Sequence, residues 1–288
     1  MSISLGSTNF GSLYLGATKI GEAYLGSVKV YGSTPVVDPF NPLGLPSHTM
    51  RLRFSDGVTP TFQYGGSAVQ VSSGTGANIW DYTYYNYSWE SVFYGQTDLL
   101  EILGGNTTGI TDMVYMCRDC TSLTSVALFD TRNMGRYNGF SGVFSGCSSL
   151  VTVPTWDLTG SYRIPELYEY CPSLTSASFV NTGTLENVVE LFLGCSSLTV
   201  LPSMDTSHVT DFYAFARGTA ITAIPLIDTS SAINVSEMFF NTQQATSGAL
   251  AMYQQMAAQS SIQYHNAVFA YCGDPDVSQI PSDWKTPT

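Results

Sequence analysis

The chain has 288 residues, 44% of them hydrophobic, which is enough for a buried core and more than a single small domain usually holds. Its 22 acidic against 10 basic side chains give a net charge of -12, which repels phosphate backbones and anionic lipid, so neither nucleic acid nor a membrane is expected as a partner. Only 11% of residues are charged, and Gly, Ser, Thr, Asn and Tyr carry the polarity, a mix that favours turns and strands over exposed helices.

The opening "MSISLGSTNF" lacks a basic start followed by an apolar run, and no 18 apolar residues run uninterrupted. Neither a secretory signal nor a membrane span is read, so synthesis in a cytoplasm is expected. Residues 1–32 repeat a ten-residue unit, "ISLGSTNFGS", "LYLGATKIGE" and "AYLGSVKVYG". Leu5, Leu15 and Leu25 form one apolar column and Phe10, Ile20 and Val30 a second, broken by glycines every five residues, the pattern of very short strands joined by tight turns. Thirty such residues bury too little to stand alone, so this arm is expected to pack on copies of itself or on a larger assembly.

Residues 33–46 carry Pro35, Pro39, Pro42 and Pro46 and read as a stiff linker. Residues 47–92 begin with "MRLRFSDGV", "PTFQYGG" and "AVQVSSG", which predict a small antiparallel sheet, and end in the aromatic run "WDYTYYNYSWESVFY".

Residues 93–242 hold a second repeat, with a period of about 24 residues, in "CTSLTSVALFDT", "CSSLVTVPTWDL", "CPSLTSASFVNT", "CSSLTVLPSMDT" and "GTAITAIPLIDT". Leu99, Leu123, Leu150, Leu174, Leu198 and Ile221 form its apolar column, and Asp130, Asp157, Asn181, Asp205 and Asp228 mark a turn in each unit. Each unit is predicted to be a short strand, an Asx turn and a short helix or 3₁₀ turn, and six stacked units give a parallel sheet about 24 Å long. The expected fold class is therefore a mixed α/β solenoid of about six coils, preceded by the β-repeat arm and the small β cap. Residues 243–288 read as a helical C-terminal cap: "SGALAMYQQMAAQ" places Leu250, Tyr253, Met256 and Ala257 on one stripe after Ser247 as N-cap, and Phe269 and Cys272 repeat the aromatic-to-Cys spacing.

The units "FSGCSSLVTVP" and "FLGCSSLTVLP" resemble BspA-like leucine-rich repeats over about half the chain, with departures at Gln96, Gly218 and Thr242 where that family has Cys. The wider arrangement, from "YLGATKIG" and "MRLRFSDGVTPTF" through "TDLLEILGGNTTGITDM" to "QIPSDWK", is similar to proteins encoded by tailed bacteriophages of gut bacteria. That resemblance implies a virion appendage or adhesin whose repeats display a binding surface, and it supplies no catalytic residues.

The pair Cys117 and Cys120 suggests zinc or redox chemistry when read alone. In register, Cys120, Cys147, Cys171 and Cys195 share one column, and Cys117 falls where Phe144, Tyr168, Phe192 and Phe215 stand in other units. The structural reading is a buried ladder of free thiols, because His48, His208 and His265 are scattered and no second ligand pair accompanies the first. No metal or cofactor is expected.

Trp80 and Trp89 read as a cap over the open end of the stack, leaving Tyr82, Tyr84, Tyr85 and Tyr87 as candidates for stacking on a sugar. Phe129, Trp156, Val180, Met204 and Ile227 precede the turn residues; such a column is ordinarily core, with Trp156 the member to test as a docking residue. Asp211, Glu190 and Glu237 read as capping acids at helix starts. No catalytic constellation has a supporting context, and "SSGTGAN" lies between strands.

The expectation is a non-enzymatic structural and binding protein on a virion surface, a tail or head fibre or other appendage. Residues 1–32 would join other virion proteins, with a homotrimer as the expected assembly, and the repeats would meet a host-surface glycan or protein. The alternative is a bacterial surface adhesin of the same repeat family.

Overall fold

The computed structural model describes residues 38, 40–62, 65–134 and 139–287, together with the backbones of four short strands nearer the N-terminus. These are β1 (Leu13–Leu15), β2 (Thr18–Ile20), β3 (Ala23–Leu25) and β4 (Val28–Tyr31), with β1 paired antiparallel to β2 and β3 to β4. Of the expected anchor residues, Leu5 and Phe10 lie outside the described residues, and Leu15, Ile20, Leu25 and Val30 fall in strands whose backbones alone are described.

The next strands build one five-stranded sheet: β5 (Thr49–Phe54), β6 (Ser67–Ser72), β7 (Ile79–Thr83), β8 (Leu99–Asn106) and β9 (Ser125–Val126), in the order β6-β7-β5-β8-β9. Along β5 the alternation decides the faces. Met50, Leu52 and Phe54 are fully buried, while Arg51 and Arg53 face outward and pair with Asp81 at 2.7 Å and Glu101 at 2.8 Å across the neighbouring strands. Residues 40–46, expected as linker, are folded onto this sheet: Asn41 bonds both the N–H and the carbonyl of Leu45, and Asn106 on β8 donates to the same carbonyl at 2.8 Å.

β9 pairs with β8 in parallel, and there the sheet passes into the repeats. Parallel bridges continue from Ser125 to Thr152 and from β10 (Thr155–Asp157) to β11 (Ser178–Val180), and a second line runs Arg163, Asn187, Asp211, Asn234, Tyr264. On the returning side each repeat places two left-handed residues four apart. Among the described residues eight such pairs occur: Ser91 and Gly95, Tyr115 and Asp119, Gly142 and Gly146, Glu166 and Tyr170, Glu190 and Gly194, Ala214 and Gly218, Glu237 and Asn241, Ala267 and Tyr271. In the first seven of these pairs the N–H groups reach into the next repeat, as in Tyr115 to the Ser141 carbonyl at 3.0 Å, Glu190 to Tyr213 at 2.9 Å and Glu237 to Asn266 at 2.9 Å.

This corrects the expected mixed α/β solenoid of strand-plus-helix coils. The described residues are mostly sheet and turn, and the one α-helix among them, α1 (Ala249–Ala257), stands apart from the returning segments. The reason is local: a left-handed residue every four positions breaks right-handed helix geometry, so the returning segments close as turns. Asp211, Glu190 and Glu237 therefore cap no helix. Asp211 accepts the Tyr213 N–H in an Asx turn at 3.0 Å, while Glu190 and Glu237 occupy left-handed positions themselves.

Register is corrected in three places. The positions relative to the left-handed pair make Ala216, not Phe215, the equivalent of Phe192, and Thr219, not Gly218, the equivalent of Cys195. In β11 Trp156 pairs with Phe179, so Phe179 is the buried core residue and Val180 is exposed. The α1 N-cap is Gly248, with φ 97°, rather than Ser247; the Ala249 N–H is met instead by the Asp274 carboxylate at 2.8 Å. Ala249, Met252 and Met256 form its buried stripe, whereas Leu250 and Tyr253 are half-buried and Ala257 is exposed.

The core is one continuous cluster. Leu99, Leu123, Leu150, Leu174, Leu198 and Ile221 are all fully buried, as are Cys117, Cys120, Cys147, Cys171 and Cys195. The six cysteines are free thiols. Each column thiol donates to a carbonyl of the preceding repeat: Cys120 to Phe93 at 3.0 Å, Cys147 to Cys117 at 3.0 Å, Cys171 to Phe144 at 3.0 Å and Cys195 to Tyr168 at 3.1 Å. A small apolar side chain with one weak donor fits a dry position that has a carbonyl to satisfy. Burial pushes the Cys117, Cys147, Cys171 and Cys195 thiols up, Cys195 to about 12, away from the thiolate that metal binding or redox exchange requires. No helix among the described residues is long and apolar enough to cross a membrane.

Candidate binding surface

The four tyrosines proposed to stack on a ligand divide sharply. Tyr82, on β7, is 1% exposed. Its ring stacks on Phe62 at 4.2 Å, meets Phe93 at 5.4 Å, and its hydroxyl donates to the Gly65 carbonyl at 3.2 Å. Burial, then Tyr84, pushes its phenol up to about 12. Tyr82 is thus a core residue, because strand alternation after Trp80 turns it inward. Tyr84 is half-buried against it at 6.3 Å. Trp156 is also corrected: it is fully buried, 4.8 Å from Phe129 and 5.5 Å from Phe140, with its indole N–H donating to the Tyr168 hydroxyl at 2.6 Å.

Tyr85 and Tyr87 remain, 78% and 72% exposed. The loop that carries them is pinned at both ends. Tyr84 N–H donates to the His48 carbonyl at 3.1 Å, the Trp89 indole donates to the Tyr84 carbonyl at 3.1 Å, and Trp89 N–H donates to Asp112 at 2.6 Å. Between these anchors Asn86 turns the chain, its N–H bonded to Tyr84 O at 2.8 Å and its side-chain oxygen accepting from Ser88 N. The two flanking rings therefore project outward.

Both rings lie near His48, whose ring centroid is 6.2 Å from Tyr85 and 6.4 Å from Tyr87. His48 has φ 59° and precedes β5. Behind it Gly109, at φ 86°, approaches so closely that an added Cβ would sit 3.2 Å from the imidazole. His48 Nδ1 is buried without a hydrogen-bond partner among the described residues. Sequence reading missed His48 because it stands 37 positions before Tyr85; only the pairing of Thr49 with Thr83 brings them together. The result is a rim of two exposed phenols, one imidazole and the Asn86 amide, apolar on its ring faces and polar on its edges.

The returning turns offer a different surface. Arg118 lies over the Tyr115 ring at 4.8 Å and pairs with Glu166 at 3.5 Å, while Arg217 pairs closely with Glu237 and lies over Phe240 at 4.6 Å. Glu169 and Glu190 stand among these acids, and burial, then neighbouring carboxylates, raises both. An unfolded glutamate loses its proton near 4.5, so these two favour the fold below that pH and oppose it as pH rises through their raised values. Glu190→Gln is therefore expected to flatten the fall in thermal midpoint between acid and neutral pH, as followed by calorimetry. Among the described residues no group of three His, Cys, Asp or Glu is placed to hold a metal ion.

Comparison with protein-family models, with curated proteins and with solved structures found no match for this chain.

Proposed function

We propose that this chain is a non-enzymatic structural and binding component of a phage virion, displayed outward to attach to a host-surface glycan. The observation that carries the binding half is the rim: two tyrosines more than two-thirds exposed, fixed over His48 by backbone bonds at both ends of their loop. Rigid tyrosines give large amphipathic contact at little entropic cost, and a pyranose ring stacks on such faces while its hydroxyls bond the polar edges. The virion half rests on the sequence resemblance and on the N-terminal repeats, whose strands pair two by two, an arrangement that is marginally stable on its own.

In this reading residues 1–32 join other virion proteins, with a homotrimer as the assembly. Deleting them is expected to leave a soluble, folded remainder that no longer incorporates into particles. Incorporation of the truncated chain at the full-length level, measured by immunoblot of purified particles, contradicts the anchor.

A further inference from the structure

Aromatic rings fill two columns of the repeat core, and both columns change at the repeat that carries Ala216. On the turn side Phe144, Tyr168 and Phe192 stack at 6.1 and 5.9 Å with nearly parallel planes, and the stack resumes in Phe239 and Phe269 at 6.0 Å. Between them the position holds Ala216. On the strand side Phe129, Trp156 and Phe179 give way to Met204 and then Ile227. Phe215 turns across the gap, its plane at 74° to Phe192.

A cleft of about 270 Å³ opens there, with Phe215 in its wall alongside Met204 and Ile227, flanked by Pro202 and Pro225. A six- or nine-membered ring fits such a volume, since a cavity of about 150 Å³ already accepts benzene. The surround extends further than one ring reaches: Leu226, which lines the cleft, is 65% exposed, so a single small molecule leaves apolar surface uncovered. The rim is acidic. Asp228 lines the cleft and makes no ion pair with Lys or Arg among the described residues, and the neighbouring Asp205 shares the Ser207 hydroxyl with His208.

We propose that this cleft receives an aromatic side chain of a protein partner, with a Lys or Arg beside that residue answering Asp205 and Asp228. The ring packs against Phe215, Met204 and Ile227, the partner's backbone covers Leu226, and the cation complements the rim. This site is separate from the tyrosine rim and stands or falls independently of it.

The test follows the Met204 methyl signal by NMR in ¹³C-methyl-methionine protein, titrated with capped tetrapeptides Gly-Trp-Lys-Gly, Gly-Trp-Glu-Gly and Gly-Leu-Lys-Gly. The expected result is a saturable upfield ring-current shift with the first, binding about tenfold weaker with the second, and no shift with the third. Ile227→Phe, which fills the cleft, is expected to abolish the shift. Should that variant misfold, Leu226→Ser, at an exposed position, is expected to weaken binding about fivefold. Four outcomes overturn the proposal: no shift with the Trp-Lys peptide, equal affinity for all three peptides, equal affinity for free indole, or a shift that appears with protein concentration alone and marks a second copy in the cleft.

Discussion

Trp156→Ala is expected to destabilise the protein by about 3–5 kcal/mol, toward the upper end of that range for a buried aromatic. Two losses combine. The indole fills space against Phe129, Phe140 and Phe144, at centroid distances of 4.8, 5.5 and 6.1 Å, and rings in three surrounding segments have no common way to collapse into the void. Its N–H also serves the fully buried Tyr168 hydroxyl at 2.6 Å, so truncation strands a polar group in a dry core. Trp156→Phe keeps most of the volume and loses the bond, and is expected to cost roughly 1–3 kcal/mol. Urea denaturation of the three proteins checks the order. A Trp156→Ala midpoint equal to the parent's contradicts the buried assignment and returns this residue to the surface.

Gly248→Ala is the second large effect. Gly248 starts α1 at φ 97°, and a Cβ built there lies 2.1 Å from the Ile224 carbonyl oxygen, a backbone atom with no side-chain freedom to yield. The left-handed conformation alone costs about 1–2 kcal/mol for a residue with a Cβ. The clash adds to it, and either α1 shifts from its seat or the turn carrying Ile224 moves, for a total of about 3 kcal/mol or more. Gly160→Ala separates the two contributions, because Gly160 has φ 76° with nothing within 4 Å. It is expected to lose only the conformational share. Equal thermal midpoints for the two variants contradict the close approach at Gly248.

Those two positions also show what could be read from the residues and what could not. The columns of Leu and Cys were legible because a side chain repeated every 24 or so positions must face one place, and a small apolar residue in a dry column is recognisable by type. The returning segments were misread. Glycines at 142, 146, 194 and 218 hinted at left-handed geometry, but Tyr115, Glu166 and Glu190 adopt it too, and nothing in their chemistry announces that. Without it the segments resemble short helices. The same blindness shifted Phe215 and Val180 by one position, since the left-handed pair at Ala214 and Gly218 and the pairing of Trp156 with Phe179 set the register, and neither shows in the residue pattern.

The binding rim was half legible. The aromatic run from Trp80 to Tyr94 marked the region, but which tyrosine faces out depends on where β7 ends. Alternation buries Tyr82 inside the strand, and the turn at Asn86 then exposes both of its neighbours. His48 entered only through long-range strand pairing, a contact that local sequence does not encode.

The most direct test of the account is the affinity of the purified chain for host-cell surface polysaccharide, measured by calorimetry for the parent and for Tyr85→Ala/Tyr87→Ala. Both side chains are exposed, so the double variant is expected to keep its thermal midpoint and to lose at least about tenfold in affinity, which is roughly 1.4 kcal/mol. Unchanged affinity in the folded double variant contradicts the rim as the attachment surface.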